Sequence, residues 1–345
     1  MRIGLLTGGG DCPGLNGVIR AVVTEGVTRY GDEFVGFLDG WRGPLELDSV
    51  PLGLDDVAEI LPLGGTILGT SRTNAGTPER VARIQANLAA SGIEALIPIG
   101  GEDTLGAATA LAQAGTRCVG VPKTIDNDLS GTDLTFGFTT AVEIATEAVD
   151  RLRTTSRSHH RVLVVEVMGR HAGWIALHVA LAASAAAALI PEAPFGLEQM
   201  AERVRDLVRA RRDAVVVVAE GAVPRSDAIA GETGAAVDEF GHVKVGGIAG
   251  FVAQRLEALA GVETRTVVLG HVQRGGVPTA FDRILTSRLG LAAITALHAG
   301  QSGVMVALRG ERIETVPLEA ATGTLKTVPP ELLRRYAALF AAATD

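Results

Sequence analysis

Short apolar runs recur along this chain, most of them followed by a glycine-rich or charged turn and then by residues at helical spacing. Arg2–Thr7, Glu33–Leu38, Ala95–Ile99, Arg161–Val167, Ala214–Ala219, Arg265–Leu269 and Val304–Leu308 read as strands, several of them continuous enough to be buried on both faces. Between them, Leu15, Val18, Ile19, Val22 and Val23 share one helical face, as do Val81, Ile84 and Leu88, and Met200, Val204, Leu207 and Val208. Further helices are expected over Thr140–Arg153, Leu197–Arg212, Ile248–Leu259, Phe281–His298 and from Pro330 onward, with Thr77 as the N-cap of a helix opened by Pro78. Strands alternating with helices predict an α/β chain with a doubly wound, mostly parallel sheet. Ser156–Arg161 reads as a solvated loop, and Pro224–Val245 as an insertion or mobile loop.

The most informative stretch is Ile99–Asp128. Two strand ends there deliver two polar loops, Gly100-Gly101-Glu102-Asp103-Thr104 and Lys123-Thr124-Ile125-Asp126-Asn127-Asp128. Loops at the carboxyl ends of parallel strands converge on one crevice. Glycines let a phosphate approach the backbone, and the helix that follows aims its N–H groups at the anion. Four carboxylates beside one lysine would repel a bare phosphate, which calls for a divalent cation and suggests metal-assisted phosphoryl transfer. Gly8-Gly9-Gly10 after the first strand has the strand, glycine loop, helix order of a phosphate cradle, an order that also opens many α/β proteins of unrelated function, and it lacks the lysine and hydroxyl that close a Walker-type loop.

Composition narrows the classes. A chain of 345 residues, 47% hydrophobic and 20% charged, has enough apolar material for two packed lobes. The net charge of −8 argues against nucleic acid as a partner. Arginine is nevertheless placed at loops and strand ends, at Arg72, Arg161, Arg170, Arg265 and Arg274, which suits two phosphate-bearing substrates. Two isolated cysteines, Cys12 and Cys118, fit a reducing compartment. The first strand begins at once, leaving no room for a signal peptide, and the Ala-rich stretch Ile175–Ile190 is short of the ~20 apolar residues of a membrane span. A soluble, cytoplasmic protein is expected, with no membrane contact.

The motifs GGGDCPG, GGEDTLG, PKTIDND, EVMGRHAG and LGHVQRGG, in this order, resemble the 6-phosphofructokinases, over nearly the whole chain. The resemblance implies the phosphofructokinase fold, two Rossmann-like three-layer αβα lobes with mostly parallel sheets. It divides the chain into a donor-binding lobe, 1–137 plus 273–302, and a fructose 6-phosphate lobe, 138–272 plus 303–345. It implies Asp126 as the base acting on the 1-hydroxyl of fructose 6-phosphate, flanked by Thr124 and Asp128, with Arg170 stabilising the transferring phosphoryl group. Glu102 stands where the family usually has an aspartate that handles Mg²⁺. Gly10, Arg72 and Thr104 would line the donor subsite, and Met168, Gly169, Glu220, His271 and Arg274 would hold the sugar phosphate. By the same resemblance Arg161 and Arg265 reach over from a neighbouring subunit of a homodimer or homotetramer.

The donor is the point at which branches of the family part. ATP-using members resemble one another in having glycine at the position of Asp103 and, commonly, at that of Lys123. A carboxylate where the α-phosphate of ATP would lie costs about 4 kcal/mol at ~4 Å and an effective dielectric of about 20, roughly three decades in affinity. Asp103 and Lys123 together resemble the pyrophosphate-dependent branch, whose reaction is reversible. The alternatives are a rotated Asp103 that binds metal and leaves room for ATP, or the same chemistry on sedoheptulose 7-phosphate. A catalytically silent sugar-phosphate sensor would be expected to have lost the carboxylates that are present here.

Overall fold

The computed structural model describes residues 1–225, 247–336 and 339. Eleven strands are formed among them: β1 (Arg2–Thr7), β2 (Glu33–Phe37), β3 (Ser49–Leu52), β4 (Ala95–Gly100), β5 (Val119–Pro122), β6 (Val162–Val167), β7 (Ala187–Leu189), β8 (Ala214–Ala219), β9 (Thr264–Val268), β10 (Val304–Arg309) and β11 (Arg312–Pro317). The chain divides into two compact units, Met1–Thr140 with Arg274–Lys326, and Ala141–Gln273 with Thr327–Asp345. Most of the expected insertion, 226–245, lies outside the described residues.

In the first unit seven strands form one sheet in the order β11-β10-β5-β4-β1-β2-β3. The five inner strands run parallel, because β1 and β4 are apolar along nearly their whole length and bury both faces. Both edges are antiparallel, which the sequence pattern did not predict. β11 is largely exposed, with only Ile313 and Val316 partly covered, as a sheet edge facing water should be. From β1 the chain moves to β2 on one side and later returns to place β4 on the other. The order therefore reverses between β1 and β4, and the loops leaving their carboxyl ends diverge to open a crevice.

The domain boundary differs from expectation at its C-terminal part. Residues 303–326, expected in the fructose 6-phosphate lobe, cluster with the first unit, because β10 pairs in parallel with β5 and carries β11 with it.

The second unit has a four-stranded, all-parallel sheet, β7-β8-β6-β9. Val162, Val164, Val216 and Val218 of this sheet pack with Met200 and Val204 of the helix Glu198–Arg209 and with Val252 and Leu256 of the helix Ile248–Ala260. One local expectation fails. The helix after Phe138 does not end at Arg153 but continues to His159, so Ser156–His159 is helical, not a loop. Its last turns hold polar residues within the helix: the Ser158 hydroxyl donates back to Thr154 O and the Thr154 hydroxyl to Arg151 O. Thr77 takes the N-cap position of the helix Pro78–Ala90 as expected, in extended backbone and with Pro78 opening the helix, although its side chain makes no capping bond.

Candidate active site

The crevice between β1 and β4 is built by close packing of glycines around one threonine. The helix Glu102–Gln113 follows β4 after Gly101, and Thr104 in its first turn is almost fully buried. A Cβ at Gly8 or at Gly100 would collide with the Thr104 side chain, so both positions need glycine for the loops to meet. Gly8 N–H then donates to Ile99 O at 2.9 Å, which ties the first loop to the end of β4. Glu102 and Asp103 occupy the first turn of that helix, where a carboxylate is favoured by the helix dipole.

Lys123 follows β5 and is 3% exposed. Its ammonium donates to Gly10 O, and its backbone N–H donates to Gly100 O at 2.9 Å, so one residue joins the loops after β1, β4 and β5. Burial lowers the Lys123 pKa, opposed by the nearby Cys12 and Asp126. Arg274 packs its guanidinium against Gly10, where a Cβ would displace it, and donates to Asp11 O at 3.3 Å.

The loop after Lys123 is held from within. Asp126 N–H donates to Thr124 Oγ1 at 3.1 Å, and Thr135 Oγ1 donates to Thr124 O at 2.7 Å. Asn127 between the two aspartates has φ 52°, in the left-handed region that asparagine tolerates. Its side chain is buried and accepts from Thr135 N–H at 3.1 Å and from the Lys326 ammonium at 2.9 Å.

The structure brings Gly10, Glu102, Asp103, Thr104, Lys123, Thr124, Asp126, Asp128 and Arg274 onto one cleft of about 210 Å³. Arg274, expected on the sugar phosphate, thus stands beside the donor-loop glycines. Arg72 does not line this cleft. It lines a neighbouring cavity of about 170 Å³ with Trp41, Ser71 and Asn74. Gly9, Asp103 and Thr104 line both spaces, so Asp103 stands where the two meet.

Against Glu102, Asp103, Asp126 and Asp128 the cleft sets only Lys123 and Arg274, leaving it acidic. Among the described residues no three His, Cys, Asp or Glu side chains converge to hold a metal by themselves. The donor set nevertheless fits Mg²⁺, which takes one or two carboxylates and completes its shell with substrate phosphates and water.

In the second unit the expected substrate residues separate into two groups. Met168, Gly169 and Arg170 follow β6, Glu220 follows β8, and His271 lies in the turn after β9, all at carboxyl ends of neighbouring parallel strands. Gly221 must be glycine, since its Cβ would run into the Arg170 carbonyl. Gln273, not anticipated from the sequence, is fully buried and joins two of these loops. Its Oε1 accepts from Met168 N–H at 3.3 Å, and its Nε2 donates to Gly270 O at 3.1 Å. Arg161 and Arg265 stand instead at the amino ends of β6 and β9, both paired with Glu263. β6 has six residues, and at ~3.3 Å per residue the two ends are roughly 17–20 Å apart.

An α/β chain whose sheet reverses at an acidic, lysine-bearing phosphate cleft is built for phosphoryl transfer, and relatives of known name sort it further. Residues 2–297 match the phosphofructokinase family profile, and the chain belongs to that family. It is 59% identical over 343 residues to a pyrophosphate–fructose 6-phosphate 1-phosphotransferase of Streptomyces coelicolor, covering 99% of this chain and 100% of that one. It is also 53% identical over 334 residues to a protein of the same organism named ATP-dependent 6-phosphofructokinase 3, covering 95% and 97%. Its fold matches a pyrophosphate-dependent phosphofructokinase of Nitrosospira multiformis with a TM-score of 0.85 at 22% identity, over 99% of this chain and 92% of the other. No described helix is long and apolar enough to cross a membrane.

Proposed function

We propose that this chain transfers a phosphoryl group from pyrophosphate to the 1-hydroxyl of fructose 6-phosphate, giving fructose 1,6-bisphosphate and phosphate, and that the reaction runs in both directions. The observation that carries the choice of donor is the place of Asp103. This acidic residue lines both the phosphate cleft and the cavity around Trp41 and Arg72. A nucleoside triphosphate would have to run its chain of phosphates past that charge, whereas a two-phosphate donor ends before it.

Asp126 takes the proton from the attacking hydroxyl, and Thr124 and Asp128 flank the acceptor. Lys123 and Arg274 meet the donor phosphates from the glycine loops, and Arg170 neutralises the charge that builds on the transferring group. Mg²⁺, bound with the phosphates beside Glu102, would supply further charge neutralisation. Transfer is direct and in line, with positioning and electrostatics supplying the acceleration. Met168, Gly169, Glu220 and His271 hold the sugar phosphate. Arg161 and Arg265 complete the site of a neighbouring subunit in a homodimer or homotetramer, a reading favoured by their position at the opposite strand ends from the other sugar-phosphate residues. The enzyme works in the cytoplasm.

A second reading has ATP as the donor. It is favoured by the cavity beyond Asp103, where Trp41, Ser71, Arg72 and Asn74 leave room for more than a phosphate. Formation of fructose 1,6-bisphosphate from fructose 6-phosphate and Mg²⁺, with pyrophosphate and ATP side by side, separates the two. Turnover with pyrophosphate at least a hundredfold above that with ATP is expected, and the reverse order overturns the reading.

A further inference from the structure

Lys326 reaches the Asp126–Asp128 loop from 199 residues further along the chain. Its ammonium donates to Asn127 Oδ1 at 2.9 Å, Thr132 O at 3.0 Å and Asp133 O at 2.9 Å. Its backbone N–H donates to Asp128 O at 2.8 Å. Three oxygens of one short loop therefore converge on a single point, an arrangement their own dipoles oppose unless a cation sits there. The loop's conformation depends on that point: Asn127 is in the left-handed region, and its side chain is locked between Lys326 and Thr135. Asp126 and Asp128 are the residues on either side of it.

We propose that the Lys326 side chain is a tethered monovalent cation, a positioning residue that fixes Asp126 and Asp128 for phosphoryl transfer, and that small ammonium ions can replace it once the side chain is cut away. The inference rests on the reading of Asp126 and Asp128 as members of the catalytic site. Lys326 is distant in sequence from every motif of the cleft and does not line it. Its partners belong to the scaffold of the loop, so its removal should disturb the geometry of the reacting groups more than the grip on either substrate.

The test is steady-state kinetics of Lys326→Ala with fructose 6-phosphate, pyrophosphate and Mg²⁺, beside wild type and Asp126→Ala. The kcat of Lys326→Ala should fall about tenfold or more while both KM values stay within about threefold, since small misplacements of reacting groups act on turnover. Ammonium, methylammonium or ethylammonium should restore at least part of the lost kcat. Tetramethylammonium, which has no N–H to donate, should restore none. If Lys326→Ala does not fold, Lys326→Met, whose stem leaves no room for an added amine, is read by kcat alone against Lys326→Arg, which keeps the charge and its donors and should retain most of the turnover, and equal kcat in the two overturns the proposal. Undiminished kcat in a folded variant overturns the proposal, as does a loss that none of the three amines relieves, or that tetramethylammonium relieves equally. Full turnover by Asp126→Ala would instead sink the reading of the site itself, whatever Lys326 does.

Discussion

Arg161 and Arg265 share one carboxylate. Arg161 Nε lies 2.8 Å from Glu263 Oε2, and Arg265 pairs with the other oxygen of the same side chain. Glu263 immediately precedes β9, so two guanidinium groups are held side by side at the amino edge of the sheet.

If these arginines serve a neighbouring subunit, two inactive variants should repair each other. Arg265→Ala and Asp126→Ala, each at most a few per cent active, are mixed after dissociation and reassembled. Hybrids then contain one site with both Asp126 and Arg265 intact. About one quarter of wild-type activity should return for pairwise sites and random mixing. No recovery would place the arginines in the site of their own chain.

Asp103→Gly removes the acidic residue where cleft and cavity meet. The kcat/KM for ATP should rise by about two to three decades, the size expected from removing a like-charge contact. The measurement is ATP-dependent formation of fructose 1,6-bisphosphate, and unchanged ATP kinetics would remove Asp103 as the gate.

Lys326 links the loop to stability. Burial lowers its pKa from the ordinary 10.5 to about 8, with Asp133 and Asp128 pulling the other way. Between about pH 8 and pH 10.5 the unfolded chain binds this proton and the folded chain has released it. Stability should therefore rise with pH across that window, by at most about 1.4 kcal/mol per pH unit from this group. Denaturant melts of wild type and Lys326→Met compared over the window should differ by this rise, since Lys123, Cys12 and Cys118 contribute equally to both.

Cys12 and Cys118 are fully buried, and burial pushes each thiol up to about 12. The native protein at pH 8 should be inert to a thiol-specific chromogenic disulfide, and two thiols should react once it is unfolded. Rapid labelling of the native protein would mean that the loops around Cys12 open readily.

The loops that line the cleft were legible because each follows an apolar run with glycine and charge, a pattern local enough to survive without coordinates. The inner strands were legible for the same reason. β3 and β11 were not, since SVPL and RIETVP are short, partly polar edge segments whose pairing depends on a strand elsewhere. The lobe to which 303–326 belongs was hidden likewise, because the pairing of β10 with β5 joins segments almost 200 residues apart. Arg274 stood out in the sequence as an arginine at a strand end, but its neighbours at Gly10 and Asp11 come from the far end of the chain. Lys326 and Gln273 gave no signal, for each acts by bonding to loops made elsewhere in the chain.

β10 and β11 also set a schedule for biosynthesis. The first unit is interrupted by the second, and its sheet lacks two strands until residues 304–317 have left the ribosome. The second unit's four strands are all translated before then. A nascent chain stalled near residue 300 would thus carry an orphaned β5 edge, open to pairing with other chains. For this protein, slow translation near the C-terminus should cost more in aggregation than the same delay near the start.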